Sequence, residues 1–362
     1  MSAPTLTDPD RLLADARRLV EPVTGMAGRL RDLLDADGLV RGYPAPAAPG
    51  AMPGCAFVDG AVAHEQTDAL AWVAATGVRL VDGHQPVTLS ATAVAPVSGD
   101  IERLRSALMA ARELAAATAE TPAADLVFMD GGLSTPLISV AQALLVRDLD
   151  VLAAVREHYR RTGIVDLVAA YVDLVAAGKV AALPKQDTAT GFTGEWARRY
   201  RGDFDHVDSH VALARLRDRP LAGSLLTPGE WLTPREATEI GRTEIKAAHP
   251  DETDPLVSAL APLYARFAAT DGLHVTYMKA RRLRDRVVKI EYREDEPGRW
   301  STGERITSLI DGVTLGPRVK EPLPQHQVDA AAKKVVTGTL SMLMQVASGA
   351  LDDPAATSRY RT

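Results

Sequence analysis

The chain predicts an α/β fold on an RNase H-like core: a mixed sheet, made of an antiparallel meander plus parallel strands, with additional helices. Three observations carry this. Strand-like runs follow one another at 55–58, 71–81 and 87–97, the last dominated by Thr and Val, which suit a pleated surface. An amphipathic helix follows at 100–118, with Leu104, Leu108, Ala111 and Leu114 on its inner face and Gly99-Asp100 as its N-cap. Then come a strand at 126–129, a helix-rich stretch at 139–178 and a short strand at 180–183, whose end carries Pro184-Lys185. Three strands, helix, strand, helices, strand is the order of that core, with right-handed crossovers between its parallel strands.

The remaining elements flank this core. Residues 9–36 read as helix, with Leu12, Leu13, Ala16, Leu19 and Val20 on one face. A loop at 43–54, rich in Pro, Ala and Gly, closes an N-terminal arm and linker at 1–50. The main domain spans 51–348 and takes a polar helical insertion at about 190–270. Late strands at 273–280 and 287–292 are joined by a basic run, and a last helix covers 327–348. The tail at 349–362 is expected to be disordered.

Composition narrows the class. The chain has 362 residues, 46% hydrophobic and 24% charged, as in an ordinary soluble globular protein. A net charge of -6 excludes a generic nucleic-acid coat but leaves room for local basic patches. The single cysteine, Cys55, makes neither an internal disulfide nor a Cys-based zinc site. The first ten residues lack the pattern of a signal peptide, and no apolar run reaches the ~18 residues of a membrane span. A cytoplasmic protein with no membrane partner is the expectation. There is no phosphate loop, no Gly-x-Gly-x-x-Gly after a strand and no Gly-x-Ser-x-Gly elbow.

Two apolar runs end in Asp-Gly, at Asp59-Gly60 and Asp130-Gly131. Each is read as a strand whose carboxyl end carries a carboxylate, where α/β sheets place their chemistry. Asp-Gly also ends strands in plain turns. Two carboxylates brought together repel unless a cation sits between them, so a divalent metal site is the leading reading. Glu113, on the intervening helix, is the third candidate, with Glu102 and Glu120 as competitors; any of them also fits a solvated helix face. His326, just before the last helix, suits metal binding or proton movement, or a helix cap. Lys185 suits a phosphate, or a bland surface position. The basic loop offers Lys279, Arg281, Arg282, Arg284, Arg286 and Lys289 for DNA phosphates, with Arg198, Arg199 and Arg201 as a smaller patch. A charge run is otherwise a solvated face.

Five motifs, in order over about residues 55–340, resemble those of NurA nucleases. They are Phe57-Val58-Asp59-Gly60, Val127-Phe128-Met129-Asp130-Gly131-Gly132-Leu133, Leu183-Pro184-Lys185, Val288-Lys289-Ile290-Glu291-Tyr292 and Pro322-Leu323-Pro324-Gln325-His326. Two departures stand out. Ala61 and Gly132 replace the Ser that usually follows each Asp-Gly, and Arg318 and Glu321 occupy the neighbourhood of a Tyr that often precedes the His. The resemblance implies an RNase H-like core with added helices, assembled as a homodimer. It implies a metal-dependent DNA nuclease, commonly using manganese, acting as a 5′–3′ exonuclease and/or single-strand endonuclease. Its partner would be a HerA-type hexameric ATPase translocase, in DNA end resection, repair or phage defence. On that reading Asp59, Glu113, Asp130 and His326 hold one or two Mn²⁺ or Mg²⁺ ions, and Lys185 neutralises the phosphate. The alternatives are a catalytically inactive docking subunit and an actin-like ATPase, the latter disfavoured by Ala61.

Overall fold

The computed structural model describes residues 26–46, 50, 52, 54–185, 189–203, 213–214, 216–237, 240, 244–246, 253–283, 286–294, 301–316 and 321–350. The first 25 residues, most of the expected N-terminal helix, and the tail from 351 lie outside the described residues, as does Arg284. The chain folds as two compact units.

The larger unit takes 44–185, 236–275 and 290–362. Its core is a mixed sheet of β2 (Cys55–Gln66), β3 (Leu70–Val81), β4 (Val87–Pro96), β5 (Leu126–Asp130) and β6 (Val180–Leu183), in the order β4-β3-β2-β5-β6. β2, β3 and β4 form the antiparallel meander, and β5 runs parallel to both β2 and β6. β10 (Val288–Arg293) adds to the β6 edge, antiparallel, with Glu291 opposite Ala182. The meander-then-parallel order is the one the sequence predicts.

Two helices cover this sheet. α2 (Ile101–Ala117) lies on the face that carries Gly60, Gly77 and Arg79. It buries Leu104, Leu108, Ala111 and Leu114, as its spacing requires. Gly60 and Gly77 face each other in the β2–β3 ladder. A Cβ on Gly77 would lie 2.2 Å from the Arg112 carbonyl oxygen, so glycine there lets the helix backbone settle on the strand. The buried Arg79 guanidinium donates to the carbonyls of Ala116 and Ala117, each at 3.1 Å, and so closes the last turn of α2. Asp100 stands at the N-cap, but its carboxylate accepts from the Arg147 and Asp148 N–H groups instead of capping its own helix. Between β5 and β6 run α3 (Thr135–Ala143), α4 (Leu149–Thr162) and α5 (Ile164–Ala176). α8 (Pro255–Ala268), α9 (Thr302–Val313) and α10 (Leu323–Ala350), with Glu236 of β8 (Arg235–Glu236) and the first residues of β9 (Leu273–Met278), complete the unit.

Two expectations about boundaries change. Asp59-Gly60 does not end a strand: β2 continues to Gln66, because Gly60 pairs with Gly77 inside the ladder. The last helix begins at Leu323, not 327, since Pro324 in its first turn gives up no needed N–H. His326 therefore stands inside the helix, its N–H donating to the Pro322 carbonyl at 3.1 Å. α10 packs on β2 and β3 from the face that carries Phe57, Val78 and Leu80, opposite α2.

The smaller unit takes 1–43, 186–235 and 276–289. It holds α1 (26–36), β1 (Val40–Gly42), α6 (Gly191–Arg199), α7 (Asp218–Leu225) and β7 (Glu230–Leu232). β1 pairs antiparallel with β7, whose Trp231 meets Met278. Arg31 forks onto Glu230 at 2.7 and 2.8 Å, and the buried Asp218 caps α6 through the Phe192 and Thr193 N–H groups. The stretch 190–270 thus carries strands as well as helices. Among the described residues, no helix is long and apolar enough to cross a membrane.

Candidate acidic site

The site grows from the parallel β2–β5 pair. Phe57 stacks on Phe128 with ring centroids 4.8 Å apart, so these level residues share a face. Two residues on, the strand alternation puts Asp59 and Asp130 on that same face, beneath α10. Asp59 is 3% exposed. Its Oδ1 accepts from the Gly60 N–H at 2.8 Å, and its Oδ2 faces the Lys185 ammonium. Asp130 does end its strand: Gly131, at φ +86°, turns the chain away. The turn is anchored by the buried Glu291 of β10, whose Oε2 accepts from the Leu133 N–H at 2.9 Å. Tyr171 of α5 donates to the Leu133 carbonyl at 2.8 Å.

Lys185, two residues past β6, fills the space between the two aspartates. Its Nζ is 3.0 Å from Asp130 Oδ2 and 3.7 Å from Asp59 Oδ2. The same Nζ lies 3.2 Å from Glu321 Oε2, just before α10, and 3.5 Å from Asp329 Oδ1 within it. Asp329 is also held by Lys333 at 2.8 Å, and His326 Nδ1 is 3.5 Å from Glu321 Oε1. The cation that two facing carboxylates demand is thus a lysine ammonium. His326 is half-exposed and joins the cluster through Glu321.

Glu113 comes from α2, on the opposite face of β2. A Cβ on Gly60 would lie 2.5 Å from its carboxylate, so Gly60 serves close approach and not a turn. Glu113 is buried, whereas Glu102 is exposed on Arg105 and Glu120 is exposed. Among the described residues, no three His, Cys, Asp or Glu side chains converge closely enough to hold a metal ion.

The electrostatics follow from crowding. Asp59 is pushed well above the ordinary carboxylate range, first by burial and then by the Asp130 charge, against the pull of Lys185. Glu113 rises to about 8, by burial and then Asp130, against a hydrogen bond from the Gly60 backbone. Asp329 moves down: its burial is outweighed by Lys333, by the Lys185 charge and by a hydrogen bond with Asp59. Lys185 is raised, since its carboxylate neighbours outweigh its own burial. One face therefore holds protons on some carboxyls while a fixed cation sits among the rest.

The basic loop belongs to the smaller unit, and part of it is not available to a ligand. Lys279 is buried, with Nζ donating to the Gly223 and Leu226 carbonyls at 3.1 and 3.0 Å. Lys289 is buried as well. Arg281, Arg282 and Arg286 are exposed, and Arg281 stacks over Tyr43 at 4.6 Å. Charge counting along a sequence does not see that a lysine stem faces inward. Conversely, sequence reading gave Glu321 no role and missed Asp329 altogether; its position three residues after His326, on one helix face, was the available signal.

The sheet order is that of a mixed α/β protein and is consistent with an RNase H-like core. Its fold is NurA-like. The crystal structure of the NurA nuclease from Sulfolobus solfataricus aligns at 14% identity, covering 95% of this chain and 97% of that one, with a TM-score of 0.54. A second NurA structure aligns at 10% identity over 97% and 99%, TM-score 0.55. A NurA bound to dAMP and manganese aligns at 13% over 98% and 100%, TM-score 0.50. No protein-family model and no curated protein matches the chain. At these identities the likeness is one of fold.

Proposed function

We propose that the chain is a metal-dependent DNA nuclease that hydrolyses phosphodiester bonds. One observation carries the reading: Asp59 and Asp130 lie level on adjacent parallel strands in a NurA-like fold, the buried Asp59 facing a cation. The oxygen donors fit a hard divalent ion, Mn²⁺ or Mg²⁺, and the NurA structure with dAMP and manganese supports that choice. Asp59 and Asp130, on one face, would hold it, with Glu113, which meets the Asp130 charge from across β2, and His326, which joins through Glu321, as the further ligands of this reading once the side chains draw in. When bound, such an ion polarises the phosphodiester and lowers the pKa of an attacking water.

The chain's own residues divide the remaining work. Lys185, raised above its ordinary range, stays protonated and neutralises charge developing on the phosphate. The half-exposed His326 holds or moves a proton at Nδ1. Glu291 and Tyr171 keep the turn after Asp130 rigid. Arg281, Arg282 and Arg286 track the DNA backbone. The working form is a cytoplasmic homodimer with a HerA-type hexameric ATPase supplying DNA movement.

The test is cleavage of end-labelled single- and double-stranded DNA with Mn²⁺, Mg²⁺ or EDTA. Wild type should cut only with metal, and Asp59→Ala or Asp130→Ala should abolish cutting while circular dichroism stays unchanged. Cleavage retained in both variants sinks the assignment. Lys185 amid the carboxylates also suits a second reading, a nuclease-like docking subunit; that protein cuts nothing even with the partner ATPase present.

A further inference from the structure

We propose that α2 and α4 form a phosphate-binding site on the face of the sheet opposite α10, with Arg112 as its anchor and His158 and Arg161 beside it. This site stands apart from the acidic cluster, and its test needs neither metal nor cleavage.

Arg112 comes from the second half of α2, where the helix settles on β3. A Cβ on Gly77 would lie 2.2 Å from the Arg112 carbonyl oxygen and 3.2 Å from the Arg112 Cβ. The side chain therefore starts against the sheet, and burial pulls its guanidinium below the ordinary arginine range. Among the described residues Arg112 forms no hydrogen bond and no ion pair, and its Nε is buried without a partner. Arg79, the other arginine buried on this face, is satisfied by the Ala116, Ala117 and Pro122 carbonyls. α4 packs against both α2 and β4. It brings His158, 7% exposed, whose Nε2 is also buried without a partner. Burial, and then the Arg112 and Arg161 charges, hold this ring below its ordinary range, so both guanidinium groups lie near it. Arg160 and Arg161 share one carboxylate, Glu157, which leaves that turn of α4 with an excess of positive charge. An unpaired, partly buried cation is costly until an anion completes it. Phosphate suits the place: two of its oxygens match the guanidinium fork, and a third accepts from an imidazole N–H. Arg112 is only partly buried and Arg161 is exposed, so an anion enters from solvent. The ligand is a phosphate group, carried by the free ion or by a nucleic-acid backbone.

The experiment is titration of the full chain in EDTA, with sodium phosphate in one arm and a short single-stranded oligonucleotide in the other. Binding is read from the His158 ring resonances in NMR, assigned by their loss in His158→Gln, and circular dichroism checks the fold of each variant. Phosphate groups should shift these resonances saturably. Arg112→Gln should weaken that binding about tenfold or more, and the exposed Arg161→Gln about threefold. Should Arg112→Gln fold poorly, Arg112→Lys keeps the charge, loses the fork and should weaken binding about threefold. Saturation by the oligonucleotide at the lower concentration assigns the site to a nucleic-acid backbone, and saturation by sodium phosphate first assigns it to the free ion. His158 resonances unmoved in both arms, or an Arg112→Gln variant that binds as tightly as wild type, would overturn the site and leave the cleavage reading as it stands.

Discussion

Replacing Glu113 by Gln should stabilise the protein above neutral pH and leave it unchanged in acid. Glu113 is buried against Gly60 and shares its surroundings with Asp130, so its carboxyl rises from 4.5 to about 8 on folding. The folded state therefore binds this proton more tightly than the unfolded one. Stability from it is complete below pH 4.5 and is lost as pH rises to about 8. At about 1.4 kcal/mol per pH unit, that interval sets a ceiling of about 5 kcal/mol. Gln keeps the shape, can still accept from the Gly60 N–H and never ionises. The assay is urea unfolding in EDTA between pH 4.5 and 9, followed by far-UV circular dichroism. The Gln variant should match wild type at the acid end and gain several kcal/mol at the alkaline end. Parallel stability curves for the two proteins would refute the assigned cause.

Two further outcomes follow from packing and burial. Gly77→Ala should cost about 1–3 kcal/mol or more, because its Cβ meets the Arg112 backbone carbonyl at 2.2 Å and α2 must lift. Gly60→Ala should cost less, since its nearest neighbours are side-chain atoms of Glu113 and not backbone; equal losses in urea unfolding would contradict this. His158, buried in α4, is depressed to about 4 by burial and then by Arg112 and Arg161. Its contribution is present above pH 6.5 and lost as pH falls toward 4. His158→Leu should flatten that acid loss in thermal unfolding, and an unchanged acid limb would count against it.

The element order was legible because each strand and helix announces itself locally. The Val- and Thr-rich runs alternate, α2 repeats its leucines at helical spacing, and β6 falls at the residues its apolar run marks. The Asp130-Gly131 turn was legible for the same reason. Asp59-Gly60 looks identical in sequence and serves a different end. A glycine that turns the chain and a glycine that makes room for a carboxylate differ only in what lies above them.

By itself, then, the sequence determined the strand-and-helix order and put Asp130 at a strand end with Lys185 just past another; it put Asp59 at a strand end too, where β2 in fact runs on to Gln66. Only the tertiary structure decided the rest. It buried Lys279 and Lys289, put Glu113 on the far face of β2, and laid α10 over the strands so that Glu321 and Asp329 face Lys185. Those placements depend on which face each helix covers, set by packing between residues far apart in the chain.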